Sequence, residues 1–208
     1  MVAQVFRPVE QSASVDDVIE QARAAPSIGG GSMLDWVLSK PDLVDRSGVW
    51  CEFGVYVGKT LSLIAKYRGA ETEFWGFDSF RGLPETWNAA HPRGRFALPH
   101  IPMPPEGVRL MVGYFSETLP SWSPTRAVTF GYVDCDLYSS AADVFDVLAR
   151  VCAPGAVLVI DDFFMPPVDN GVARALAESR LSYEWIGRRG AGENESVAIR
   201  LTPTRAPF

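Results

Sequence analysis

The sequence predicts an α/β fold, built on a doubly wound, mostly parallel seven-stranded sheet with an antiparallel C-terminal strand. Three observations predict it. Short apolar runs alternate with helix-period segments as far as residue 180, the pattern of strand–helix–strand units. Those runs are apolar throughout, as strands covered on both faces are. The last two runs, 181–186 and 196–201, are separated only by the turn Arg188-Arg-Gly-Ala-Gly-Glu-Asn. That turn is too short for a parallel crossover, so these two strands must pair antiparallel.

Residues 1–13 read as an irregular lead-in. Ser14 is a helix N-cap with Asp16 and Asp17 in the first turn, and Pro26 ends that helix. Gly29-Gly30-Gly31 lacks the Gly-Lys-Ser/Thr sequel of a phosphate loop and reads as a hinge. Ser32 then caps a short helix over 33–39. Residues 1–47 thus form a helical lead-in or cap, and 48–208 the main domain. Val49-Trp50-Cys51-Glu52-Phe53 is the first strand, Gly54 to Gly58 a turn, and Thr60 opens a helix. A second strand, 73–78, ends in Asp78. Residues 79–107 lose periodicity and carry Pro84, Pro92, Pro99, Pro102, Pro104 and Pro105. A loop of this length, about 80–107, reads as a lid. Strands follow at 108–112 and 127–133. Ser139 and Ser140 open a helix with apolar spacing Val144, Phe145, Val147, Leu148, Val151, stopped by Pro154-Gly155. A fifth strand over 156–160 ends in Asp161-Asp162, and a helix spans 171–180.

At 208 residues the chain is one domain by length. A net charge of −6 argues against nucleic-acid and anionic-membrane partners, leaving small molecules or neutral polymers. No run approaches the roughly 20 apolar residues of a membrane span, and the N-terminus has no leader pattern. Cys51, Cys135 and Cys152 fit no zinc spacing and lie in apolar runs, so they read as core thiols of a cytoplasmic protein.

Two constellations carry chemistry. In the first, Glu52 is a carboxylate inside an apolar strand, where it must meet a cation or donors. Gly54 and Gly58 let backbone approach a ligand, and the following helix presents free N–H groups. Asp78, at the end of the neighbouring strand, can accept both hydroxyls of an adenosine ribose. S-adenosylmethionine, with its ammonium, carboxylate and flat heterocycle, suits this corner. The second constellation is Asp134-Cys-Asp136 with Asp161-Asp162, at the ends of two adjacent strands. Such carboxylates repel one another unless neutralised, and an oxygen-only set favours Mg²⁺ or Ca²⁺. Asp136 and Asp162 equally suit helix capping. His91 and His100 read either as lid bases or as solvated loop residues. Trp87, Phe96 and Met103 line a pocket or anchor the lid.

Glu52-Phe-Gly-Val-Tyr-Val-Gly, Trp75-Gly-Phe-Asp-Ser-Phe-Arg-Gly-Leu-Pro-Glu, Gly113-Tyr-Phe-Ser-Glu-Thr-Leu-Pro, Val133-Asp-Cys-Asp-Leu-Tyr-Ser-Ser and Ile160-Asp-Asp resemble the macrocin O-methyltransferase (TylF-like) family. Its members are class I, Rossmann-like, S-adenosylmethionine-dependent methyltransferases acting on natural-product sugars or phenols. The resemblance implies that Glu52 meets the methionine ammonium, with Gly54, Val55, Tyr56, Gly58 and Thr60 of the same turn in the cofactor site. It implies that Asp78 and Ser79 bind the ribose and that Gly113, Tyr114 and Phe115 flank the adenine. Asp134, Asp161 and Asp162 match the family's magnesium ligands, with Asp134 also placed to deprotonate a hydroxylated small-molecule acceptor.

Two other readings stand beside this one. A cofactor-binding domain without catalysis would keep the first constellation only. A nicotinamide-dependent oxidoreductase is disfavoured by the Glu-x-Gly-x-x-x-Gly spacing. Phenol, sugar hydroxyl and amine acceptors all remain open, and Val5 and Phe6 suit a homodimer contact.

Overall fold

The computed structural model describes residues 13–164, 171–190 and 195–203. Val5, Phe6 and residues 191–194 of the C-terminal turn lie outside them. The sheet is built from β1 (Val49–Phe53), β2 (Glu73–Asp78), β3 (Val108–Val112), β4 (Val128–Val133), β5 (Cys152–Ile160), β6 (Tyr183–Arg188) and β7 (Val197–Leu201). Their order is β3-β2-β1-β4-β5-β7-β6. β7 runs antiparallel to both neighbours, and the pairings among β1–β5 are parallel. The expected hairpin therefore folds back, inserting β7 between β5 and β6. Strand order reverses between β1 and β4, and ligand crevices in such sheets open beyond the carboxyl ends at that point.

Among the described residues, six α-helices cover the faces: α1 (Val15–Ala24), α2 (Met33–Leu38), α3 (Lys59–Ala65), α4 (Phe115–Thr118), α5 (Tyr138–Val151) and α6 (Gly171–Glu178). Ser14 and Asp17 close a capping box on α1, and the Ser32 hydroxyl accepts from Asp35 N–H at the start of α2. β1 and β4 are buried along their whole length, so successive side chains feed two separate cores. Cys51, Phe53, Phe77, Val133, Leu158 and Ile160 pack with α1, α5 and α6. Trp50, Phe74, Phe130, Val157 and Val159 pack with α2 and α3 on the other face. The lead-in helices thus contribute one to each core. By the same alternation Glu52 points to the Trp50 face.

Several boundaries differ from the sequence reading, and two of them have a clear structural cause. α5 ends at Val151, and the fifth strand begins directly at Cys152 rather than after Pro154-Gly155. The pairing with β4 slips between Val128↔Cys152 and Phe130↔Val157, and Gly155 has φ +89. Pro and Gly are tolerated there because they sit in a bulge, exposed at the opening of the strand. β6 runs over Tyr183–Arg188 rather than 181–186, since alternating Tyr183, Trp185 and Gly187 are the residues that turn inward.

The turn after β1 is held by main-chain bonds: Gly54 N–H donates to Phe77 O and Asp134 N–H to Phe53 O, both at 2.9 Å. Gly54 has φ +94, and a Cβ there would lie 1.7 Å from the Asp134 carbonyl oxygen. The glycine is required by the junction of β1 with β4, as well as by its left-handed backbone. Gly54→Ala should therefore cost about 3 kcal/mol or more, a Tm loss of roughly 6–12 °C in thermal unfolding. At Gly30 an added methyl would meet no atom within 4 Å. Gly30→Ala should stay within about 0.5 kcal/mol of the parent in the same measurement.

Candidate active site

The site grows from the carboxyl ends of β1, β2, β3, β4 and β5. Glu52 is fully buried, with Gly76 of β2 and Tyr132 of β4 as its register partners. Neither of its carboxylate oxygens has a hydrogen-bond partner among the described residues. Burial pushes its carboxyl up to about 8, the Thr60 hydroxyl pulls it partly back, and Asp78 adds a push. The Thr60 approach falls short of hydrogen-bond geometry, so both oxygens lie without a partner among the described residues. A buried carboxyl in that condition either keeps its proton or meets a cationic donor.

Asp78 grips the glycine turn. Its Oδ2 accepts from Val55 N–H at 2.9 Å and Tyr56 N–H at 2.7 Å, and its Oδ1 from Phe80 N–H at 2.7 Å. Tyr56 is held at φ +47 within this clamp. Ser79 turns its hydroxyl to the next turn, accepting from Arg81 N–H and donating to Gly82 O. At the end of β3, Gly113 N–H donates to Asp78 O. The Arg81 guanidinium lies 4.1 Å from the Tyr114 ring centroid and pairs with Glu117. Phe115 meets Phe53 edge-on at 6.1 Å.

The second cluster lies beyond β4 and β5. Carboxylate oxygens of Asp134, Asp136 and Asp162 lie within 4.8 Å of one another. Asp136 joins the expected Asp134 and Asp162 in this grouping, while Asp161, also expected there, accepts from the Tyr132 hydroxyl through Oδ2 at 2.8 Å. Burial raises the Asp134 carboxyl well above the carboxylate range, with Asp161, Asp136, Asp162 and Glu52 pushing the same way. Burial likewise raises Asp136, Asp161 and Asp162. Arg189 relieves Asp161 in part. Three carboxylates at this spacing, with no nitrogen or sulfur donor among them, fit a hard divalent cation.

A cavity of about 460 Å³ joins the two clusters. Of the residues singled out in the sequence, Gly54, Tyr56, Asp78, Ser79, Gly113, Tyr114, Phe115 and Asp134 line it. Glu52, Val55, Gly58, Thr60, Asp161 and Asp162 are not part of that wall. Val55 is buried and serves through its N–H, and Gly58 caps α3 with φ +76. Gly82, Leu83, Pro84, Glu85 and Phe96 of the proline-rich loop form the roof, and Cys135, Asp136, Ser139, Ser140 and Asp143 complete the far side. Leu83 and Glu85 lie in the Gly-Leu-Pro-Glu end of a quoted motif, but a loop without periodicity does not reveal which side chains face inward, and Asp143 carried no signal in the sequence. The Leu-Tyr-Ser-Ser run held the signal for Ser139 and Ser140.

The roof is an ordered loop. Leu98 N–H donates to Phe80 O, Leu83 N–H to Arg95 O, and Gly94 N–H to Leu83 O. Phe96 meets Tyr56 edge-on at 5.8 Å, and Ser139 donates to Glu85 at 2.6 Å. His91 stacks on Phe96 and Trp87 with Nδ1 3.0 Å from Asn88 Oδ1, His100 is exposed, and Met103 is 93% exposed. No helix among the described residues is long and apolar enough to cross a membrane.

A family model described as "Methyltransferase domain" matches residues 51–163. The 8-demethyl-8-(2,3-dimethoxy-alpha-L-rhamnosyl)-tetracenomycin-C 4'-O-methyltransferase of Streptomyces olivaceus is 30% identical over 108 residues, covering 43% of this chain and 41% of that protein. The chain thus matches about two-fifths of that relative's length. Among solved structures, the O-methyltransferase NovP superposes with a TM-score of 0.62 at 20% identity, over 81% of this chain and 78% of NovP. Calicheamicin methyltransferase CalS11 gives 0.58 at 21% identity, over 89% and 76% of the respective chains. An O-methyltransferase from Bacillus cereus in complex with SAH gives 0.54 at 13% identity, over 95% and 94%. The family match over residues 51–163 and the β3-β2-β1-β4-β5-β7-β6 sheet lead to one conclusion: the chain belongs to the methyltransferase-domain family and has the class I, Rossmann-like methyltransferase fold.

Proposed function

We propose that this chain is an S-adenosylmethionine-dependent O-methyltransferase acting on a sugar hydroxyl of a small natural product, with Mg²⁺ held by Asp134, Asp136 and Asp162. The observation that carries the reading is Glu52, a fully buried carboxylate with both oxygens unpartnered behind the cavity. The cavity wall adds Asp78, Glu85, Asp134, Asp136 and Asp143, with no Lys or Arg among its described residues. Such a wall suits a cationic sulfonium cofactor. The sugar acceptor is supported by the name of the Streptomyces olivaceus relative, which places its methyl on a glycoside 4'-oxygen, and by the description of CalS11 as a TDP-rhamnose 3'-O-methyltransferase. A cytoplasmic setting accords with three unpaired cysteines.

Bound S-adenosylmethionine supplies the electrophilic methyl group. Glu52 accepts the ammonium, and Asp78 offers the ribose the lone pairs left by its three backbone donors. Tyr114 and Phe115 offer ring faces to a flat heterocycle. Mg²⁺ supplies charge that favours the ionised form of a hydroxyl brought to it. Asp134 takes the acceptor's proton, and the roof over the cavity keeps water from the reacting oxygen. The chain's contribution is chiefly positioning and desolvation. A domain that only bound the cofactor would have no use for four crowded carboxylates at β4 and β5. Family membership leaves the nicotinamide reading without support.

Two outcomes test this. Asp134→Asn should lower kcat for S-adenosylmethionine-dependent methylation of a glycoside panel by about 10³-fold or more. Its Kd for S-adenosylhomocysteine should stay within about threefold of the parent, and undiminished turnover would remove Asp134 from the chemistry.

The second outcome concerns Glu52. Its folded value of about 8 lies above the ordinary 4.5, so the folded apoprotein holds a proton that the unfolded chain releases. Stability contributed by that proton is fully present below about 4.5 and is lost as pH rises through about 8. Glu52→Gln should remove this slope, making the apoprotein more stable than the parent at pH 8 in chemical denaturation. The same change should weaken S-adenosylmethionine binding about 100-fold. In the parent, calorimetry in buffers of different ionisation enthalpy at pH 7 should record proton release on cofactor binding. Proton-neutral binding would mean that Glu52 does not meet the ammonium.

A further inference from the structure

Tyr132 stands between the two clusters and belongs to neither. It is 5% exposed, packed in the core that contains Trp50, Phe130, Val157 and Val159. In register it lies opposite Glu52 on β1 and Val159 on β5. Val159 and Asp161 share one face of β5, two residues apart, so the phenol reaches diagonally past Val159 to the acid beyond it. There the Tyr132 hydroxyl donates to Asp161 Oδ2 at 2.8 Å. The Asp161 backbone is fixed as well, its N–H donating to Val133 O at 2.8 Å. With main chain and one carboxylate oxygen both held, the rotation of the Asp161 side chain is determined, and with it the direction of Oδ1.

We propose that Tyr132 is a positioning residue for the cation site: its hydroxyl holds Asp161 Oδ2, so that Oδ1 is presented in one orientation as a further oxygen ligand beside Asp134, Asp136 and Asp162. The inference rests on the cation reading given above. Carboxylates around a bound metal are themselves held by outer hydrogen bonds, and loss of such a partner typically weakens metal binding about 10–100-fold. A phenol suits the position because it is a neutral donor at the pH of function, adding direction without adding charge. Its rigid ring, clamped in the core, spends no side-chain freedom on holding the acid.

The test is Tyr132→Phe, which keeps the ring and removes the hydroxyl. With S-adenosylhomocysteine present, Mg²⁺ affinity is measured by calorimetry and the Mn²⁺ site by electron paramagnetic resonance. Tyr132→Phe should weaken Mg²⁺ about tenfold or more and broaden the Mn²⁺ signal, while the Kd for S-adenosylhomocysteine measured without metal moves less than about threefold. The double variant Tyr132→Phe/Asp161→Asn should bind Mg²⁺ no more weakly than Asp161→Asn alone, since the tyrosine acts through that acid. Mg²⁺ affinity within threefold of the parent, full additivity of the two changes, or an equal loss of cofactor affinity would each overturn the assignment and leave the methyltransferase reading standing. A parent protein that binds neither Mg²⁺ nor Mn²⁺ would instead remove the cation reading, and this inference with it.

Discussion

Like charges brought together out of water are the constraint on which this molecule turns. Glu52 has no donor among the described residues, and burial raises the carboxyls of Asp134, Asp136, Asp161 and Asp162, each pushed further by a neighbouring carboxylate. An arrangement of this kind opposes folding and persists only if the scaffold is stiff enough to impose it. The stiffness comes from two aromatic-rich cores, one on each face of the sheet. Phe53, Phe77 and Trp122 pack ring to ring on one side, Trp50 and Phe130 on the other. Under the function proposed above, cations relieve this frustration, and a different one at each cluster: an organic ammonium at Glu52, a hard metal ion at the aspartates.

Main-chain bonds, more than side-chain contacts, put these acids in place. Four strands, β1, β3, β4 and β5, keep their ladder one residue past the formal end: Gly54 N–H to Phe77 O, Gly113 N–H to Asp78 O, Asp134 N–H to Phe53 O and Asp161 N–H to Val133 O. The acids at the tips of β4 and β5, and the glycines at the tips of β1 and β3, are therefore positioned by the sheet itself. Asp78 extends the same logic with its side chain, gathering the N–H groups of Val55, Tyr56 and Phe80. A conservative change to Asn at that position would replace one acceptor oxygen by a donor facing those same N–H groups. Its effect would reach the whole turn as well as any ribose.

Much of this was legible in the sequence because strand ends are marked by composition. The apolar runs stop at Glu52-Phe-Gly, Phe-Asp78, Val-Gly113, Val-Asp134 and Ile-Asp161, and each stop is a site element. The expected neighbours, β1 with β2 and β4 with β5, are adjacent in the sheet, and Ser14 and Ser32 announced their helices by cap chemistry. What stayed hidden depends on side-chain direction across strands. Period-2 alternation places Tyr132 and Asp161 on one face, but only their actual separation shows that Asp161 turns to a phenol while Asp136 joins the cluster. The β5 bulge was hidden too, since Pro154-Gly155 reads as a stop unless the pairing with β4 is known to slip.

Backbone strain independently marks where function lies. Among the described residues, five that are not glycine have positive φ: Tyr56, Phe80, Phe96, Asp136 and Asp162. Such conformations cost of order 1 kcal/mol or more each, and bulky residues such as Tyr and Phe are the least suited to them. All five belong to the cavity wall, to the turn that Asp78 holds, or to the acid cluster. None lies in the lead-in helices or beyond β5's final turn. Surface loops chosen only to connect elements would carry glycine at these angles, as Gly29, Gly31 and Gly155 do. Keeping a tyrosine, two phenylalanines and two aspartates there makes sense if those side chains are needed where the strained backbone aims them. The same reasoning makes the roof part of the site, because Phe96 meets Tyr56 across the cavity with both residues held in left-handed backbone.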